Sequence, residues 1–128
     1  YICDVEAKAI QDTVGNLLPQ TKEQMPAAAQ DLGYKSLPLR SQTAYTLVKG
    51  TDSADSPGGY RRRMGLYEVF EVTETIQALT MKRATSTEIE KAAEAEGMVN
   101  MRQDGYLKAL DGKTTIDEVN RVAAEDNA

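Results

Sequence analysis

The sequence predicts an α+β fold, with a small β-hairpin subdomain followed by a compact bundle of short helices. Segments rich in β-branched and aromatic residues lie in the middle of the chain, whereas helix-capping signatures recur after residue 73. The chain has six Tyr, one Phe and no Trp. Its core must therefore come from Ala, Val, Leu, Ile and Met, which suits closely packed helices. The 128 residues are enough for one domain or two very small ones.

The first part of the chain is predicted to be helical. Four aliphatic residues recur at helical spacing: Ile10, Val14, Leu17 and Leu18. They predict a helix over 4–18, with Asp4 as its N-cap and Pro19 as its stop. Pro26, followed by three alanines, predicts the start of a second, short helix.

Two strands are predicted next. Residues 44–48 read AYTLV, a composition typical of a strand, and the Asp, Ser, Pro and Gly residues of 50–59 indicate a loop. Residues 63–72 place apolar side chains among polar neighbours and predict a second strand. Pairing of the two would form a β-hairpin with a long loop.

Helical signals then continue to the end of the chain. A short helix is predicted after residue 73, and a second starts at overlapping capping boxes around Thr85 and Glu88. Gly97 and Gly112 stand where helix ends are expected. Thr115 opens a last helix with a further capping box.

Composition excludes several classes of protein. The net charge of −5 argues against a general nucleic-acid binder, although residues 61–63 form a short run of three arginines. That run suits one phosphate or one acidic partner patch. A single cysteine and the absence of a ~20-residue apolar run predict a reducing compartment and no membrane span. A small hydrolase is disfavoured because the chain has no histidine.

Three stretches share one order and spacing with a known family. Residues 59–69 read GYRRRMGLYEV, residues 89–105 read IEKAAEAEGMVNMRQDG, and residues 112–122 read GKTTIDEVNRV. They resemble the segments GYxGRxGIYEV, IRKxAxxxGMxxLxxDG and GxTTxEEVxRV of the ATPases that drive type II secretion and type IV pilus assembly. The chain therefore resembles the C-terminal region of that family, in its assembly branch. It departs from the family at residues 61 and 62, where Lys-Gly is usual.

The resemblance implies a role within a larger motor. The chain would be the C-terminal part of a hexameric cytoplasmic ATPase, peripheral to the inner membrane, that powers polymerisation of pilins or pseudopilins. Its partners would be an upstream RecA-like core, neighbouring subunits and an inner-membrane platform protein, with no nucleic acid. ATP and Mg would belong to the parent protein, because nothing here matches GxxxxGK[ST]. The chain opens on Tyr1 without Met, as expected of a fragment, and we expect it not to hydrolyse ATP alone.

The resemblance also divides the chain and suggests a metal site. Residues 1–58 would be a degenerate metal-binding-type subdomain with a helix and the first strand, 59–72 a strand segment, 73–123 the helical bundle and 124–128 a frayed tail. Many family members carry two CxxC pairs before the GY segment, which suits a tetrahedral zinc site. Aligned on the GY segment, the four ligand positions fall on these residues: Cys3, Glu6, Asp52 and Asp55. One remaining thiolate favours loss of zinc; the alternative is a mixed site for zinc or a harder ion such as calcium.

The role of Arg63 and the function of the chain each have two interpretations. Arg63 aligns with the arginine of the family's GR pair, which implies contact with the nucleotide or a neighbouring subunit; the alternative is a surface arginine paired with Glu68 or Glu71. The chain could also be a stand-alone protein–protein interaction or adaptor module derived from the same domain. The sequence does not distinguish a pilus, a secretion pseudopilus and a competence system.

Overall fold

The structure is a computed structural model, and it describes residues 4–19, 22–32 and 47–123. Short 3-10 turns occupy Lys22–Gln24 and Pro57–Gly59. Within the described residues the α-helices are α1 (Asp4–Val14), α2 (Met25–Asp31), α3 (Glu74–Met81), α4 (Ser86–Ala95), α5 (Met101–Leu110) and α6 (Ile116–Val122).

The predicted α+β fold is wrong, because the described residues contain no β-strand. Their β-pairing is limited to two isolated bridges, Ser53 with Ser56 and Val69 with Val99. Of the first predicted strand, residues 44–46 lie outside the described part of the chain, and residues 47–48 have no regular structure. The second predicted strand, 63–72, makes polar contacts with α5, and among the described residues its backbone pairs only at the isolated bridge of Val69 with Val99.

Two hydrogen bonds connect this segment to α5. The backbone N–H of Tyr67 donates to Asp104 Oδ2 at 2.9 Å, and Glu68 Oε2 accepts from the N–H of Met101 at 3.0 Å. Met101 is the first residue of α5, so Glu68 satisfies one of the N–H groups that a helix start leaves without an internal partner. Strand propensity in this segment is therefore overridden by polar contacts with a helix that lies more than 30 residues further along the chain.

The first helix is shorter than predicted. It ends at Val14, whereas the apolar spacing suggested continuation to Leu18 and a stop at Pro19. Glycine at position 15 explains the early end, since it is among the poorest helix formers. Leu18 is nevertheless buried in the turn that follows. The second helix, α2, carries Pro26 in its first turn, as predicted.

The starts of α3 to α6 follow their capping residues. Thr73 and Thr115 each accept a hydrogen bond from the N–H three residues on, and Thr85 forms a full capping box with Glu88. An unpredicted second box joins Asn100 and Gln103 at the start of α5. Each cap satisfies a donor that would otherwise be left open, an effect of about 1 kcal/mol.

The helices of the described part of the chain pack into two separate clusters and not into a single bundle. The larger buried cluster joins α1 and α2 to α5 and α6, and Tyr106 and Ile10 are fully enclosed in it. The smaller cluster lies between α3 and α4 and centres on Ile76, Ala93 and Met98. Hydrogen bonds within the 67–101 region, such as that from Thr73 Oγ1 to Glu96 at 2.8 Å, fix α3 against the end of α4.

Helices α5 and α6 pack closely because α5 has a glycine at the contact. A Cβ at Gly105 would lie 2.5 Å from Cγ1 of Val119. Such a separation is shorter than atoms tolerate, so the absence of a side chain sets the helix spacing. No helix among the described residues is both long and apolar enough to cross a membrane.

Candidate functional site

A tight loop, residues 50–59, precedes the three exposed arginines at residues 61–63. The backbones of Ser53 and Ser56 exchange hydrogen bonds of 3.2 and 3.1 Å, and Asp52 Oδ1 accepts from the N–H of Gly58 at 2.8 Å. Gly59 adopts a φ of +83°, and a Cβ there would lie 2.6 Å from the carbonyl carbon of Gly50. Glycine is therefore required where the two ends of the loop cross.

The arginine run begins directly after this crossing and contains a strained residue. Arg62 has a φ of +67°, in the left-handed region that favours glycine. This is the position at which the resembling family has glycine. All three arginine side chains are exposed. The backbone bend thus turns three adjacent guanidinium groups outward at a conformational cost of about 1–2 kcal/mol.

The arginines line one side of a cavity of about 640 Å³, which we call the basic groove. Its opposite side is the turn between α5 and α6 together with α6. The hydroxyls of Tyr60 and Thr115 lie 2.7 Å apart and join the two sides. The basic residues that line the groove are Lys49, Arg61, Arg62, Arg63, Lys113 and Arg121.

Among the described residues one acid, Glu118, lines the groove, and it is already paired with Arg121. Arg121 donates to both of its carboxylate oxygens, at 3.0 and 2.5 Å. These hydrogen bonds lower the pKa of Glu118 and raise the pKa of Arg121. Lys113 forms an ion pair of 2.6 Å with Asp111. Lys49 and the three arginines are left to give the groove its positive charge.

Arg63 is an exposed lining residue of this groove. The structure does not pair it with Glu68, whose carboxylate binds the start of α5. Among the described residues no ion pair joins Arg63 to Glu71 either. The contact that Arg63 makes with a nucleotide or another subunit stays a prediction.

A second surface follows the arginines along the chain. Four large apolar side chains within six residues are exposed, and we call them the apolar strip: Tyr67, Val69, Phe70 and Val72. Val69 is 78% exposed and Val72 is 64% exposed. Lys108 lies over the Tyr67 ring, 4.9 Å from its centroid, and also binds Asp104 and the carbonyl of Gly65 at 2.9 Å. These contacts hold the start of the strip on α5.

The four predicted metal ligands are not brought together by the described part of the structure. Cys3 lies outside the described residues, and Glu6 is on α1. Asp52 and Asp55 are exposed in the loop before the arginines, where Asp52 accepts its hydrogen bond from the loop backbone. Within 4–19, 22–32 and 47–123 no three His, Cys, Asp or Glu residues are placed to hold a metal. The site therefore stays a prediction.

The α6 side of the groove is not predicted by the sequence. Residues 61–63 form an evident basic run, but Lys113 and Arg121 lie 50 to 60 residues further along the chain. The available signal was indirect. Both residues lie in the third family-like stretch, so shared motifs marked the segment without indicating that it faces the arginines.

The comparisons with known proteins identify the family. The profile of the type II/IV secretion system protein family matches residues 5–121. PilB, a type IV pilus assembly ATPase of Pseudomonas aeruginosa, is 30% identical over 109 residues, covering 85% of this chain and 19% of the relative. Type II secretion system protein E of Xanthomonas campestris is 40% identical over 79 residues, covering 62% of this chain and 14% of the relative.

The chain belongs to the type II secretion and type IV pilus assembly ATPase family. The family-like motifs at 59–69, 89–105 and 112–122 all fall inside the matched range or reach one residue beyond it, which confirms the resemblance. PilB of Acinetobacter baylyi, another type IV pilus assembly ATPase, is 33% identical over 85 residues, or 66% of this chain and 15% of the relative. The chain thus spans less than a fifth of the length of these relatives. No solved structure matches it.

Proposed function

We propose that the chain is the C-terminal part of a motor ATPase that powers polymerisation of pilins or pseudopilins. On this proposal the nucleotide-binding core precedes it in the same polypeptide, and the ATP cycle of the core moves this part. The family supports the proposal, as do the names of the relatives, since the chain spans only 19% of the P. aeruginosa pilus assembly ATPase. The motor would work as a cytoplasmic hexamer at the inner membrane, against a platform protein.

The observation that carries the proposal is the apolar strip. Contiguous exposed apolar patches are uncommon on monomeric proteins and mark interaction surfaces. Val69 and Val72 together would gain about 2–4 kcal/mol from burial, at roughly 25 cal/mol per Å² of apolar surface. We propose that the upstream core of the same chain covers the strip.

The strip also lies next to the residues with a proposed role in the motor. It follows Arg63 within four residues, at Tyr67, and both belong to one family-like stretch. A core seated on the strip would therefore lie beside Arg63. ATP and Mg bind the core on this proposal, and Arg63 contacts the nucleotide or a neighbouring subunit. Zinc is not needed for any of these steps.

The test uses the full-length protein encoded by the complete reading frame. Val69→Lys with Val72→Lys should lower ATP hydrolysis strongly, because two charges would be buried against the core. Met81→Lys with Val5→Lys is the matched control, since it adds the same charge at residues that are 86% and 77% exposed and lie outside the strip. Limited proteolysis should show the strip protected in the full-length protein and cleaved in the chain alone. Unchanged hydrolysis and equal cleavage would refute the docking role.

The reading frame itself tests the alternative function. A GxxxxGK[ST] loop upstream in the same frame is expected for the motor. A complete transcript that lacks this loop would overturn the motor proposal and favour the adaptor module.

A further inference from the structure

We propose that the basic groove binds an acidic segment of a partner protein that also carries an apolar side chain. The proposal does not depend on the motor function, because it rests on the groove alone. It rests on the positive charge of the groove, the apolar residues that line it and its fixed shape.

Charge is the first argument. The chain as a whole carries −5, yet the described residues that line the groove include six basic side chains and one acid. That acid, Glu118, is occupied by Arg121, so an incoming carboxylate meets little repulsion. Lys49, Arg61, Arg62 and Arg63 make no hydrogen bond or ion pair with other described residues. Guanidinium groups in this state bind carboxylates through paired N–H donors.

The groove also has an apolar lining, which favours a peptide over a bare anion. Its apolar residues are Val48, Met64, Leu66, Val119 and Val122. Val122 is 55% exposed and Met64 is 43% exposed, so part of this apolar lining is open to solvent. An apolar side chain between two acids would cover this surface, whereas phosphate would leave it exposed.

The spread of the cations supports the same choice. A single phosphate is bound best by donors that converge on one point, but the arginines here are consecutive, exposed and turned outward. The cavity of about 640 Å³ is much larger than one anion. A lining that combines exposed cations with apolar side chains matches a peptide that carries both acids and an apolar side chain.

The shape of the groove is fixed before binding. The hydroxyl contact of Tyr60 with Thr115, at 2.7 Å, ties the arginine side to α6. The backbone of Gly59 packs against that of Gly50, and this contact fixes the position from which the arginine run starts. A preformed site loses less conformational entropy when a ligand binds, which favours specific recognition.

The experiment titrates the ¹⁵N-labelled chain with three synthetic peptides. The first peptide consists of alternating Glu and Asp residues, with Leu replacing every fourth residue. The second is the same peptide with Ser in place of each Leu. The third is the first peptide with Lys in place of each Glu and Asp. Amide shifts in ¹H–¹⁵N spectra locate binding, and fluorescence anisotropy measures affinity. We expect the acidic peptide with Leu to shift residues 60–66 and 112–122. The Ser peptide should bind more weakly and the Lys peptide not at all.

Matched charge reversals test the residues. Arg61→Glu with Arg63→Glu should weaken binding of the Leu-containing acidic peptide by about tenfold, because two exposed charge pairs are replaced by repulsion. Lys82→Glu with Lys91→Glu gives the same change in net charge on α3–α4, outside the groove, and should leave affinity nearly unchanged. Circular dichroism verifies that both variants are folded.

Three results would overturn the proposal. Equal weakening by both charge reversals would mean that binding follows net charge only. Shifts in the groove with ATP or inorganic phosphate, but not with the acidic peptides, would assign it to a phosphate ligand. Saturable binding of single-stranded RNA there, without peptide binding, would assign it to nucleic acid.

An absent upstream nucleotide-binding loop would refute the motor function and leave this proposal intact.

Discussion

The close packing of α5 on α6 gives a prediction with a definite sign. Gly105 lies inside α5, and a Cβ added there would be 2.5 Å from Cγ1 and 3.0 Å from Cγ2 of Val119. Alanine is the better helix former, so propensity alone would make Gly105→Ala stabilising. The contact with Val119 predicts the opposite.

The magnitudes decide between the two effects. Replacing a mid-helix glycine by alanine gains about 0.5–1 kcal/mol, whereas overfilling a packed contact costs about 1–3 kcal/mol. Val119 cannot easily turn away, because it is 3% exposed and a β-branched residue in a helix has one strongly preferred rotamer. We expect a net loss of about 1–2 kcal/mol, which lowers Tm by roughly 5–10 °C in a domain of this size.

A double-mutant cycle tests the cause as well as the sign. Gly105→Ala, Val119→Ala and the double variant are compared by urea denaturation of the full chain, followed by circular dichroism. The double variant should lose at least ~1 kcal/mol less than the sum of the single losses, because Val119→Ala removes both clashing methyl groups. The reasoning would be refuted if Gly105→Ala were as stable as the parent chain, or if it cost the same in the Val119→Ala background as in the parent chain.

Three further predictions follow from single contacts. Arg62→Gly should stabilise the chain by up to about 1 kcal/mol, since relief of left-handed strain exceeds the entropy cost of glycine, whereas Arg61→Gly should not; equal urea midpoints would contradict this. Asp104→Ala should cost about 2 kcal/mol, because it leaves Lys108 and the N–H of Tyr67 without their shared acceptor. Asp12→Ala removes an exposed pair with Lys8 and should change stability far less, because solvent screens such a pair; equal losses from the two substitutions would refute the distinction. Hydrogen bonds from Thr85 lower the pKa of Glu88 below 4.5, so its stabilisation is present above that pH and is lost as pH falls through the lowered pKa. Glu88→Gln should therefore be less stable than the parent chain at neutral pH and equal to it in strong acid; a difference that persists in acid would contradict the linkage.

Helix starts could be predicted from the sequence because caps are local. Thr85 and Glu88 are three residues apart and form the expected reciprocal box. Asn100 and Gln103 follow the same rule with amides, so their box was also predictable, although it was missed. At Thr115 the rule was half right, because Glu118 turns to Arg121 instead of completing the box.

The hairpin could not be predicted correctly because strand formation depends on a partner outside the segment. Residues 63–72 have suitable composition, but side chains of α5 bind their backbone: Asp104 accepts from the N–H of Tyr67, and Lys108 donates to the carbonyl of Gly65. The N–H of Tyr67 bonds to Asp104, 37 residues away. Contacts at such separation are fixed by the packing of α5, which the local pattern does not reveal.

The groove could not be predicted from the sequence for the same reason. Its two sides meet through Tyr60 and Thr115, which are 55 residues apart, so a motif comparison identifies each side but not their contact. The resemblance of residues 59–69 to the family segment implies that Arg62 stands where glycine is usual, in a conformation that costs arginine about 1–2 kcal/mol. If Arg62 only filled a surface position, Arg62→Gly would gain stability and lose nothing. If the groove binds an acidic segment, the same substitution gains stability and weakens peptide binding, and this opposition separates the two explanations in one variant.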